Sequence, residues 1–284
     1  MYRDIFEELF DYEKIYIICD CELLKFSKYI INHKDEIPSL FRFSVADYNN
    51  IRNLETQSLF LSPTGSLNDI FEGLSCPIDD KVIDNLDKLN DIAYIKSFSE
   101  DNKNLLMWAH YADSYSGMCV EYDFSKLSDN ILYHLFPIYY SEKKLLNISL
   151  ERTIKELNDL KISNVEHVFP VDSKYLTDIM SAFLIKSKEW EYEKEWRIIA
   201  TYPHIHNYFG DIEENENAKN LYEIKNQYIS VKSCIKSVYL GPKMKQRIKD
   251  HIKEICKNKL NNIPVYEARI SKEKYEIEFV QVLD

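Results

Sequence analysis

Glu189-Trp-Glu-Tyr-Glu-Lys-Glu-Trp-Arg197 sets Glu at four successive odd positions and places Trp190, Tyr192 and Trp196 between them. Read as a strand from Glu191, the period of two puts Glu191, Glu193 and Glu195 on one face and Tyr192 and Trp196 on the other. Like charges aligned in this way repel and raise one another's pKa values. A strand here therefore needs either a cleft that uses paired acids or cations such as Lys186, Lys188 and Arg197 to neutralise them. If the preceding helix runs on instead, Glu189 and Glu193 share a face and the acids form a solvated stripe.

Outward from this segment, strands are expected at Leu40 to Ser44, Leu59 to Ser62, Ala93 to Ser99, Met118 to Asp123 and Trp196 to Tyr202, with an extended stretch from Tyr133 to Tyr140. Towards the C-terminus, further strands are expected at Tyr228 to Val231, Ile235 to Leu240, Val265 to Ile270 and Tyr275 to Val282. Helices are expected at Ala46 to Glu55, Asp80 to Asn90, Leu105 to Tyr111, Leu150 to Leu160, Ser173 to Lys188 and Lys245 to Lys257. Short strands among helices, without a regular β-α-β-α rhythm, indicate an α+β fold of mixed or antiparallel strands. The expected organisation is one domain over residues 37–284, preceded by a helical extension over residues 1–36. Gly210 to Asn220 reads as a surface loop.

The chain of 284 residues holds five glycines, none clustered, which is about 2% against a usual ~7%. A dinucleotide-binding G-x-G-x-x-G loop and a P-loop are both excluded, because each needs clustered glycines to bring backbone amides to phosphate. Any nucleotide must be held by side chains. The net charge of −11 argues against a nucleic-acid partner. Six scattered cysteines without a C-x-x-C pair read as reduced thiols of a cytoplasmic protein. The acidic N-terminus lacks the apolar run of a signal peptide, and no apolar run approaches membrane-spanning length.

Four features could carry chemistry. The acidic segment offers Glu193 and Glu195. Leu105-Leu-Met-Trp-Ala-His-Tyr-Ala-Asp113 offers His110 as an acid or base, with Trp108 and Tyr111 as stacking rings, although a histidine beside two aromatics is more often a core residue. Asn68 and Asp69 either cap a helix or face a ligand. Arg42, between two phenylalanines on a strand, needs an anion if it points inward, either a neighbouring carboxylate or a ligand phosphate. His204-x-His206 lacks a third ligand at metal-site spacing, so no metal centre is expected. The lysine-rich helix from Lys243 to Lys259 reads as a solvated face.

Taken in order, several stretches resemble a widespread prokaryotic domain-of-unknown-function family, "twenty-nine seventy-one". They are Leu40-Phe-Arg-Phe43, Ser62-Pro-Thr-Gly-Ser-Leu-Asn-Asp-Ile-Phe-Glu72, Ser97-Phe-Ser-Glu100, Leu106-Met-Trp-Ala-His-Tyr-Ala-Asp113, Gly117-Met-Cys-Val-Glu-Tyr-Asp123, Lys188-Glu-Trp-Glu-Tyr-Glu-Lys-Glu-Trp-Arg197 and Ile235-Lys-Ser-Val-Tyr-Leu-Gly241. Ile70 stands where that family is expected to have proline. A looser likeness joins Arg42, Ser97-Phe-Ser99 and Glu193-x-Glu195 to the Arg, Ser-x-Ser and Glu-x-Glu order of ADP-ribosyltransferases, which bind NAD in a cleft without a glycine-rich loop. That likeness implies NAD as substrate and an acceptor it does not name. Arg42 would sit at the NAD phosphates, and Ser97 or Ser99 would brace the nicotinamide ribose or the catalytic acid. Glu195 would face the charge that develops on the ribose, Glu193 would orient the acceptor, and Trp108 or Tyr111 would stack on nicotinamide. The family also suggests a bacterial toxin or anti-phage effector. Two competing expectations stand beside it: a metal-dependent phosphodiesterase or nuclease-like hydrolase using Asp69, Glu72, His110 and the late glutamates, and a non-catalytic interaction module.

Overall fold

A computed structural model of the chain describes residues 2–8, 20–69, 71, 93–142, 183–201 and 228–283. The helices expected at Asp80 to Asn90 and Leu150 to Leu160, the loop from Gly210, and Ile70, Glu72, His204 and His206 lie outside these residues. So does most of the helix expected from Ser173.

Eight strands follow one another across a mixed sheet. In spatial order they are β13 (Ile277–Leu283), β12 (Val265–Ile270), β11 (Ile235–Leu240), β5 (Met118–Tyr122), β1 (Leu40–Ser44), β4 (Ala93–Ser99), β9 (Glu195–Thr201) and β6 (Leu135–Pro137). A ninth, β3 (Ser62–Pro63), joins the edge of β4, and β11 and β12 form the parallel pair in an otherwise antiparallel array. Two small sheets stand apart: β2 (Ser58–Phe60) with β10 (Tyr228–Ser230), and β7 (Tyr139–Ser141) with β8 (Ile185–Ser187). The arrangement is α+β, as the irregular mixture of short elements implied.

All five residues of β5 are buried, so the sheet is covered on both faces. Alternation along β5 sends Met118, Val120 and Tyr122 into the larger core. Helices α1 (Tyr2–Glu7), α2 (Asp20–Asn32) and α6 (Gln246–Lys259) add Phe6, Phe26, Ile30, Ile252 and Ile255 to that core. Cys119 faces the other way, into a smaller core under α4 (Leu105–Tyr111) with Phe43, Met107, Trp108 and Tyr239. The described residues of the expected N-terminal extension, 2–8 and 20–36, pack against the sheet. Tyr2 meets Trp196 edge-on at 6.0 Å, and Arg3 donates to the Glu100 carboxylate and to the backbone oxygens of Ile138 and Glu195.

Two of the scarce glycines hold the turn behind α4. A Cβ on Gly117 would lie 2.2 Å from the Ser44 carbonyl oxygen, and one on Gly241 would lie 2.3 Å from that of Tyr115. The Gly241 amide also donates to the Gly117 carbonyl at 2.9 Å. Only a residue without a side chain lets the ends of β1, β5 and β11 close on the α4 turn at these distances.

Candidate active site

β1 and β4 share a single register pair, Phe41 with Ser99, and then part. β3 takes over the same edge of β4 further along, at Tyr94 and Ile95. The split opens into a cleft of about 360 Å³, within the ~300–1,000 Å³ of typical ligand pockets. Residues from both faces of the sheet line it, together with the loop after β3 and the last turn of α4.

The acidic segment differs from the strand expected of it. Lys188–Glu193 is a 3₁₀ helix, Lys194 follows in the left-handed conformation at φ 45°, and β9 starts only at Glu195. Glu189 and Glu191 stay at the surface, where Lys188 pairs with Glu191 at 2.7 Å. The turn at Lys194 swings Glu193 inward beside Glu195, so two acids enter the site where simple alternation would have lined up three. The helix expected to run to Lys188 also fails at its end, where Ile185–Ser187 is β8. A strand there carries Lys186 between the two acids.

The ammonium of Lys186 lies 2.6 Å from Glu193 Oε2 and 3.3 Å from Glu195 Oε2, all three side chains being 5% exposed or less. Arg197 grips Glu195 with two bonds, Nε to Oε1 at 2.7 Å and Nη2 to Oε2 at 3.0 Å, and donates through Nη1 to the Phe183 carbonyl. The Ser97 hydroxyl also bonds to Glu195. Burial pushes the Glu195 carboxyl up, but Arg197 and Lys186 more than reverse this and hold it near 2. Glu193 goes the other way: burial and then the charge of Glu195 raise it above the ordinary carboxylate range, against the pull of Lys186 and Tyr111.

Tyr111 connects this inner network to the cleft. Its hydroxyl donates to Glu193 Oε1 at 2.5 Å and accepts from the Asn68 amide at 2.8 Å. Burial and then Glu193 push the phenol well above its usual pKa, so it stays protonated. Asn104 caps α4 by accepting from the Leu106 and Met107 amides and donates to the Tyr192 carbonyl, which fixes α4 against the 3₁₀ turn. Ser99, fully buried, donates to the Glu193 backbone oxygen at 2.7 Å, so its contact in this structure is to the acid-bearing turn.

Among the residues singled out in the sequence, Arg42, Asn68, Ser97, Ser99, His110, Tyr111, Glu193 and Glu195 all line this one cleft. His110 and Asn68 are exposed at its mouth, so His110 is not the core residue that its aromatic neighbours suggested. Asp69 holds a turn by accepting from the Phe71 amide. Trp108 is a correction. It is fully buried between Phe43 and Phe279, its indole N–H donates to the Asn102 carbonyl, and no face is left for a ligand ring. Arg42 reaches the Ser97 carbonyl oxygen at 3.3 Å and meets no carboxylate among the described residues, so the expected ion pair is not seen there. Lys96 was missed. Its one sequence signal is a lysine inside the apolar strand Tyr94-Ile-Lys-Ser-Phe98.

Residues 107–198 match the family described as "Protein of unknown function (DUF2971)", a span running from within α4 to within β9. The chain thus resembles that family over the stretch that supplies Tyr111, Lys186, Glu193, Glu195 and Arg197. No curated protein and no solved structure matches the chain. Among the described residues, no helix is long and apolar enough to cross a membrane.

Proposed function

We propose that the cleft binds NAD and cleaves the bond between nicotinamide and its ribose, passing ADP-ribose to an acceptor or to water. The observation that carries this reading is the convergence of Arg42, Ser97-x-Ser99 and Glu193-x-Glu195, from three separate stretches of chain, on one pocket-sized cleft. Side chains line it, as the glycine-poor sequence requires of any nucleotide site.

The geometry redistributes the roles. Both oxygens of Glu195 are taken by Arg197 and Lys186, so this residue positions its neighbours and raises Glu193 by like-charge repulsion. Glu193 is the proton acceptor, and it acts through Tyr111. As the acceptor hydroxyl or water attacks the ribose carbon, its proton passes to the Tyr111 oxygen while the Tyr111 proton passes to Glu193. Nicotinamide departs with the electrons of the broken C–N bond. A carboxyl whose pKa burial and the Glu195 charge raise is a better proton acceptor for such a relay than an ordinary one. Arg42 meets the phosphates, and Ser97, partly exposed, faces the ribose.

The test is nicotinamide release from NAD, read by chromatography. Glu193→Gln and Tyr111→Phe should each lose ~100-fold or more of the rate while still binding NAD. A wild-type chain that releases no nicotinamide would remove the reading. One observation favours a second reading, a non-catalytic module: the inner acids are fully engaged by Lys186, Arg197 and Tyr111, as in a purely structural network. In that case Glu193→Gln would change stability alone.

A further inference from the structure

We propose that Lys96 and Arg42 together form a two-cation site, within the split of the sheet, for a doubly charged phosphate group such as the pyrophosphate of a dinucleotide. The proposal deepens the NAD reading by naming what the split binds, and it can fail separately from the cleavage chemistry.

The pairing of Phe41 with Ser99 fixes the faces. Arg42 and Lys96 project to the same side of the sheet, opposite Ser97, Ser99 and Glu195. Both line the cleft, and Lys96 is only 5% exposed. A buried ammonium normally keeps a carboxylate within reach. Among the described residues none reaches Lys96, and the charge acting on it is that of Arg42. The carboxylates of the cleft, Glu193 and Glu195, are committed to Lys186 and Arg197 on the other face. His110 and Tyr111 of α4 face the cleft from that side too. With both groups charged and no carboxylate beside them among the described residues, Arg42 and Lys96 repel, and a dianion seated between them removes the repulsion and replaces lost hydration. Burial and then Arg42 push the Lys96 amine down to about 6, so it is largely neutral at pH 7.5 and takes up a proton when the anion docks.

The probe is ADP-ribose, whose pyrophosphate does not titrate near neutral pH, added to the full chain by calorimetry at pH 7.5 in two buffers of different ionisation enthalpy. The expected result is binding with uptake of close to one proton. Lys96→Met should weaken binding at least about tenfold, abolish the uptake, and raise resistance to urea. Lys96→Arg should bind like the wild type without the uptake, because arginine is always charged. Unchanged affinity in Lys96→Met would overturn the proposal. So would lower stability of that variant, which would mean that a carboxylate elsewhere in the chain holds the lysine. ADP-ribose binding without nicotinamide release from NAD would leave this site standing and remove the cleavage reading; release insensitive to Lys96 would do the reverse.

Discussion

Replacing Lys186 with methionine removes the cation that touches both Glu193 and Glu195 while keeping most of the side-chain volume. Glu195 keeps both bonds from Arg197 and stays ionised. Among the described residues, Glu193 then keeps only the Tyr111 hydroxyl and lies beside the Glu195 charge without a counter-ion. Leaving one member of a buried pair uncompensated costs ~3–5 kcal/mol. The loss has a definite pH dependence. The folded pKa of Glu193 is already raised, and removing the ammonium raises it further. The destabilisation is therefore least below the unfolded glutamate value of ~4.3, where the carboxyl is protonated in both states. It grows as pH rises towards the folded pKa, at up to ~1.4 kcal/mol per pH unit. Urea unfolding of the wild type, Lys186→Met, Glu193→Gln and the double variant, at pH 5 and pH 8, measures this directly. At pH 8 the single Lys186→Met change should cost several kcal/mol, and the cost should shrink by at least ~1 kcal/mol when Glu193 is already glutamine. A loss below ~0.5 kcal/mol at pH 8, or the same loss in the Glu193→Gln background, would refute the arrangement.

Gly117→Ala should destabilise by ~1–3 kcal/mol, because its Cβ would meet the Ser44 carbonyl oxygen at 2.2 Å; a neutral change in thermal unfolding would contradict that close approach. Trp108→Ala should cost ~3–5 kcal/mol and leave the affinity for NAD unaltered, since the ring is core and not cleft; a selective loss of affinity in a stable variant would restore it as a ligand contact. Arg3→Ala removes three hydrogen bonds that tie α1 to the Glu100 carboxylate, to the Ile138 carbonyl and to the start of β9 at Glu195. It should lower stability by ~1–3 kcal/mol and expose the Glu195 amide region to faster hydrogen exchange, and unaltered exchange there would show that α1 does not brace the strand.

Much of the sheet was legible because its strands are short runs rich in aromatic and β-branched or other apolar residues. Leu40 to Ser44, Ala93 to Ser99, Ile235 to Leu240 and Val265 to Ile270 coincide with β1, β4, β11 and β12, and Leu105 to Tyr111 coincides with α4. The 3₁₀ turn at Lys188–Glu193 was not legible. Its alternation fits a strand equally well, and the left-handed Lys194 that breaks the period belongs to a residue type with no preference for that conformation. β8 was misread because three residues at the end of an apolar run carry too little periodicity to tell strand from helix. The site residues were found where a polar type looked costly. Arg42 stood between two phenylalanines, and the glutamates repelled one another with Lys186 and Arg197 close enough to neutralise them. Lys96 gave the same kind of signal in a quieter form. Trp108 was misplaced because a motif shared by a family marks core residues as readily as ligand contacts.

Calorimetric titration of the wild-type chain with NAD, followed on the same sample by chromatography for free nicotinamide and repeated with Glu193→Gln, bears most directly on the proposed activity. The expected result is saturable NAD binding by both proteins, with nicotinamide appearing only in the wild type. Absence of NAD binding by the wild type, or equal nicotinamide release by the folded Glu193→Gln variant, would contradict it.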